Sequence, residues 1–97
     1  MKTIIFSRTG IPVSDFEISQ YVDNLLLSKR KYFRISTHLV IDEIRARIKE
    51  GKINTDDISV FIVDCGKEYE LHIDKNGKMN RFTESQSVFD SILTRLI

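Results

Sequence analysis

ISVFIVDCGKEYELHIDKNGKMNRF, residues 58–82, carries the clearest structural signals in the chain. Residues 58–63 form a nearly continuous apolar run rich in β-branched side chains, the pattern of a central strand. Asp64, Cys65, Gly66 and Lys67 read as a turn. Residues 68–74 then alternate: Tyr69, Leu71 and Ile73 point one way, Glu68, Glu70, His72 and Asp74 the other. Asn76-Gly77 is a strong hairpin signal, because a type I′ turn needs positive φ at both central residues. It pairs 68–74 with 78–82 and sets Lys75 opposite Lys78, Ile73 opposite Asn80, His72 opposite Arg81 and Leu71 opposite Phe82. Three consecutive antiparallel strands are therefore expected.

Working outward, residues 3–6 (TIIF) read as a short buried strand followed by turn material to Pro12. Ser14 and Glu17 match the capping box S-x-x-E, and Val13 and Ile18 flank it at hydrophobic-staple spacing. A helix over 14–28 follows, with Ile18, Val22, Leu25 and Leu26 on one face and Asp15, Ser19 and Asp23 opposite. Residues 29–34 (KRKYFR) form a basic connector, extended at 32–35. Ser36 caps a second helix whose stripe is Val40, Ile41, Ile44 and Ile48, and Gly51 ends it. Thr83 and Gln86 make another capping box, opening a terminal helix striped by Val88, Phe89, Ile92, Leu93 and Leu96. The expected fold is α+β: a small two-layer domain of order β-α-α-β-β-β-α, an antiparallel meander sheet with helices packed on one face. Its expected core is Ile5, Ile18, Val22, Leu25, Ile44, Ile48, Val60, Ile62, Leu71, Ile92 and Leu96.

Length and composition bound the rest. Ninety-seven residues fit one domain, 1–97, and 41% hydrophobic with 30% charged residues is the composition of a folded protein. Cys65 is the single cysteine, which excludes an internal disulfide and suits a reducing compartment. Arg8 interrupts the N-terminal apolar run short of a signal peptide, and no stretch approaches a membrane span. A cytoplasmic protein is expected, without a membrane partner. The formal charge of +1 argues against a general polyanion binder.

Nothing in the chain spells catalysis, so no enzyme is expected. Glu70, His72 and Arg81 form the one cluster worth testing, but solvated cross-strand pairing explains it without a pocket. His38 beside Ser36 and Thr37 reads as a capping-turn residue, and Cys65 has no adjacent base to activate it. The two histidines and Asp56-Asp57 match no zinc or EF-hand spacing, and Gly10, Gly51, Gly66 and Gly77 form no phosphate loop. Neither metal nor cofactor is expected.

Charge is distributed unevenly. Residues 29–52 hold eight basic side chains against three acidic, and residues 53–74 hold six acidic against one basic. The basic candidates for partner binding are Lys29, Arg30, Lys31, Tyr32, Phe33 and Arg34, helped by Arg45 and Lys49. Three readings compete: a solvated connector, a surface steering a charged protein partner, or a phosphate-binding, base-stacking face for nucleic acid.

STHLVIDEIRARIKEGKI, DDISVFIVD and ELHIDKNGKM, within residues 36–82, resemble the C-terminal region of P-loop ATPases of bacterial defence systems, the overcoming-lysogenization-defect type. The chain lacks that family's phosphate loop and magnesium-binding acidic strand, so the resemblance implies no ATPase activity and no nucleotide role for His38. It implies a free-standing interaction piece related to such defence systems. The function expected is thus a non-catalytic interaction module, a small regulatory or inhibitor-like protein that binds a larger protein or self-associates. The alternative is a nucleic-acid-binding domain using residues 29–34.

Overall fold

A computed structural model describes residues 1–64 and 66–79. Strand β1 (Lys2–Ile11) leads through a 3₁₀ turn at Asp15–Glu17 into helix α1 (Ile18–Leu27). Strand β2 (Tyr32–Ile35), helix α2 (His38–Lys49), a second 3₁₀ turn at Thr55–Asp57, strand β3 (Ile58–Asp64) and strand β4 (Lys67–Leu71) follow. Among the described residues the sheet order is β2-β1-β3-β4, with β1 parallel to both β2 and β3 and β4 antiparallel to β3.

The domain is therefore mixed α/β, and the antiparallel meander and the order β-α-α-β-β-β-α are both corrected. The physical reason lies in the basic connector. Phe33 and Ile35 alternate with Tyr32 and Arg34, which makes the segment a true strand rather than a linker. Each helix then becomes a crossover long enough to return the chain parallel to β1. The two crossovers step in opposite directions across the sheet, yet α1 and α2 pack against each other on one face. They are consequently of opposite hand, and one has the rare left-handed sense.

Register assigns the faces. Toward the helices point Phe33 and Ile35, Ile4 and Phe6, Ile58, Val60 and Ile62, and Leu71, all buried. They meet Ile18, Val22 and Leu25 of α1 and Val40, Ile41, Ile44 and Ile48 of α2 in one cluster. Nine of the eleven expected core residues fall among the described ones, and eight of those are buried. Ile5 is the exception: it points to the other face and is only half-buried, while its neighbours Ile4 and Phe6 take the core positions. Ile92, Leu96 and the expected terminal helix lie outside the described residues.

Local signals are partly rewritten. Ser14 makes no side-chain cap; its carbonyl instead accepts the Glu17 N–H at 2.8 Å, closing a 3₁₀ turn ahead of α1. Thr37, not Ser36, precedes α2, and its hydroxyl ties to the N–H and carbonyl of Val13. The end of α2 is a Schellman motif: Gly51 at φ 79° donates to Ile48 and Lys52 donates to Arg47. Near Gly10 the chain turns across β2, so that both Phe6 and Ile11 pair with Ile35. A Cβ on Gly10 would lie 2.3 Å from the Ile35 carbonyl carbon, so only glycine fits the crossing.

The expected hairpin forms in a shifted register. Asp74 exchanges backbone bonds with Lys78 and Gly77, and Ile73 bridges Met79 rather than Asn80. The Asp74 carboxylate explains the shift. It accepts from the N–H groups of Asn76 at 2.8 Å and Lys78 at 3.0 Å, favouring a three-residue loop over the two-residue type I′ turn. Cys65 and the expected partners Asn80, Arg81 and Phe82 lie outside the described residues.

Candidate functional site

The eight basic and aromatic candidates separate into four places. Lys29, Arg30 and Lys31 occupy the exposed loop between α1 and β2, and Tyr32 opens β2, an edge strand, with 66% of its surface exposed. Phe33 points inward and is 6% exposed, so it belongs to the core. Arg34 lies on the sheet face away from the helices and donates to Thr9 Oγ1 at 3.2 Å. Arg45 and Lys49 sit on α2 beside the hairpin, where Arg45 Nε donates to the Gly77 carbonyl at 2.8 Å and Nη1 pairs with Asp42 at 3.1 Å.

The loop is fastened to the start of β1. Lys2 Nζ donates to the carbonyls of Ser28 and Arg30, the latter at 2.9 Å, and the Thr3 N–H donates to Lys31 at 2.7 Å. The Lys2 ammonium thereby meets the negative end of α1, a favourable placement for a cation. Phe33 anchors the same region from below: Arg30 lies 5.2 Å and Lys2 5.7 Å from its ring centroid. Three cations and one exposed aromatic are thus presented on a backbone held by these bonds. Sequence reading missed Lys2, whose fastening of the loop shows only in its bonds to Ser28 and Arg30.

The acidic half lies at the opposite edge. Glu68 and Glu70 project from β4 on the face away from the helices and are exposed. His72 Nε2 is 3.7 Å from Glu70 Oε1, and both border a cavity of about 230 Å³ with Met1, Ile48, Ile58 and Leu71. Arg81, the third member of the expected cluster, is outside the described residues. His38 lies in the first turn of α2, as expected of a capping-turn residue, and is buried there 3.7 Å from Asp42.

Among the described residues, a polar network joins the two helices. Arg47 bridges the helices, donating to Asp23 at 2.6 Å, to Glu43 at 2.8 Å, and to the carbonyl and hydroxyl of Ser19. Its hydrogen bond to Glu43, with the Asp23 carboxylate beside it, holds its pKa above the ordinary arginine value. Among the described residues no three metal-ligating side chains converge, and no helix is long and apolar enough to cross a membrane. No family model, curated protein or solved structure matches the chain.

Proposed function

We propose that the chain is a non-catalytic protein-interaction module, regulatory or inhibitor-like, whose basic end docks on an acidic surface of a larger protein. One observation carries this reading: Tyr32 stands exposed on an edge strand among Lys29, Arg30 and Lys31, on a loop fixed by Lys2 and Thr3. An exposed aromatic next in sequence to three exposed cations has the composition of an interaction hot spot, and prior fastening of the backbone lowers the entropy cost of binding. Nucleic acid is less well served, because Phe33 is withdrawn into the core and leaves Tyr32 as the exposed aromatic of the segment. The resemblance over residues 36–82 adds a bacterial-defence setting to the proposal.

Affinity purification from native lysate tests it with three baits: the wild type, Tyr32→Ala and the triple variant Lys29→Ala, Arg30→Ala, Lys31→Ala. A protein captured by the wild type and lost by both variants is the expected result. Identical capture by all three would remove the basic end from consideration. Tight, salt-sensitive binding of generic DNA or RNA at about 150 mM salt would promote the nucleic-acid alternative instead.

A further inference from the structure

The sheet face turned away from the helices carries a pattern independent of the basic loop. The registers place Arg34, Ile5, Phe61 and Glu70 in one row, straight across β2, β1, β3 and β4. A second row sets Val63 beside Glu68. Ile5, Phe61 and Val63 are half-buried, whereas Arg34, Glu68 and Glu70 are exposed. The first row is therefore apolar at its centre, basic at one end and acidic at the other, and the row on its other side sets Tyr32, Thr3 and Ser59 across the same face. Among the described residues, both helices and the hairpin lie on the opposite side.

The row has a definite symmetry. With strands about 4.8 Å apart, Arg34 and Glu70 stand at equal distances from a line running between β1 and β3. A two-fold axis along that line lays the row over its own reverse. Ile5 then faces Phe61 of the second copy, and Arg34 faces Glu70 of the second copy at both ends. An axis running across the strands would instead stack Arg34 on Arg34 and Glu70 on Glu70. Charge thus discriminates between the two ways of stacking the face on itself, and favours only the first. Stacked sheets lie about 10 Å apart, a gap that an arginine and a glutamate reaching from opposite sides can bridge.

We propose that this face binds a second copy of the chain, as an isologous dimer whose two-fold runs parallel to the strands. Lys29, Arg30 and Lys31 precede β2 and lie off the stacked row, while Tyr32 stands on this face one row from Arg34, so the interface adjoins the docking surface proposed above and goes beyond it in taking a second copy of the chain. The face of the four described strands is short beside a standard interface of roughly 800 Å² per partner, so weak and reversible association is expected.

Sedimentation equilibrium of the full chain from about 1 to 300 µM tests the proposal. The wild type is expected to dimerise reversibly, and Arg34→Glu or Glu70→Lys alone to weaken association at least about tenfold. Mixing the two variants in equal amounts should restore dimers, because the mixed pair has opposite charges at both contacts. That recovery cannot come from a misfolded variant. A wild type that stays monomeric throughout would overturn the proposal, as it would if residues 80–97 of the same chain occupied the face. A dimer indifferent to both reversals, or a mixture that fails to recover, would overturn it equally. The triple variant at Lys29, Arg30 and Lys31 should dimerise as the wild type does. Loss of its dimer would move the interface to the basic loop and overturn the assignment.

Discussion

The two faces of the sheet are made of the same strands, one residue out of step. On the helix side stand Ile4, Phe6, Val60 and Ile62, all buried; between them in sequence, Ile5, Phe61 and Val63 stay half-buried. Side chains in a strand alternate, so a shift of one position exchanges a core residue for a surface one. The difference teaches that position along the strand, odd or even, decides which of these side chains the core takes up. The helix side holds the fold, while the other side and the basic loop carry the surfaces proposed above for binding.

Ile4 and Ile5 give the sharpest way to break that comparison. Ile4 is fully buried, and Ile4→Ala should cost about 3–4 kcal/mol, the transfer term plus a cavity that the packed helices cannot close. Ile5→Ala should cost less, about 1–2 kcal/mol, because its environment is already partly solvent. Urea denaturation of both variants measures the gap. Equal losses would show that the second face is buried as deeply as the first.

Next in size is the contact that fastens the hairpin to α2. Gly77 has φ 79°, and an added Cβ would approach the Arg45 carbonyl oxygen to 2.6 Å. Gly77→Ala therefore meets two penalties, left-handed backbone strain of about 1 kcal/mol and a clash with main chain, for roughly 2 kcal/mol or more. A thermal melt within error of the wild type would detach the hairpin from the helix layer. Arg47→Met ranks below it, at about 1–2 kcal/mol, since methionine keeps the aliphatic packing but breaks the bonds to Asp23, Glu43 and Ser19. That loss should shrink little in high salt, because the Arg47 side chain is only 11% exposed.

The sequence made some of this legible and hid the rest for identifiable reasons. Strand 58–63 and both described helices were readable because their apolar spacing is long and regular. The parallel topology was not, since β2 is only four residues long and its flanking charges resemble a solvated linker. TIIF is apolar from Ile4 to Phe6, so it gives no alternation by which Ile4 could be told from Ile5. The hairpin was visible in Asn76-Gly77, but its register was decided by the Asp74 carboxylate bonding two N–H groups of the loop. Arg45 looked like a free surface cation; its partner Gly77 lies 32 residues away and leaves no local trace. The exposure of Lys29 to Lys31 was legible in their charge, whereas the withdrawal of Phe33 and the fastening by Lys2 depend on tertiary contacts.

The smallest stability effect belongs to the surface proposed to matter most for binding. Replacing Lys29, Arg30 and Lys31 with alanine removes three exposed side chains, while the bonds that position the loop use its backbone. Lys2 still reaches the Arg30 carbonyl and the Thr3 N–H still reaches Lys31, whatever side chains those residues carry. The chief stabilising interaction removed is the Arg30 guanidinium over the Phe33 ring, worth about 0.5–1 kcal/mol at an exposed site. With it goes an exposed, long hydrogen bond of 3.3 Å from Arg30 to the Tyr32 carbonyl, which water can replace. Against this, taking positive charge away from the neighbourhood of Lys2 relieves repulsion of similar size. The net change in unfolding free energy should fall within about 0.5 kcal/mol. Added salt should stabilise the wild type slightly more than the variant, because screening relieves only a repulsion that is present. Matched melts at low and high salt measure both effects. A loss beyond about 2 kcal/mol would mean that the basic loop is part of the scaffold, and would sink its reading as a surface kept free for a partner.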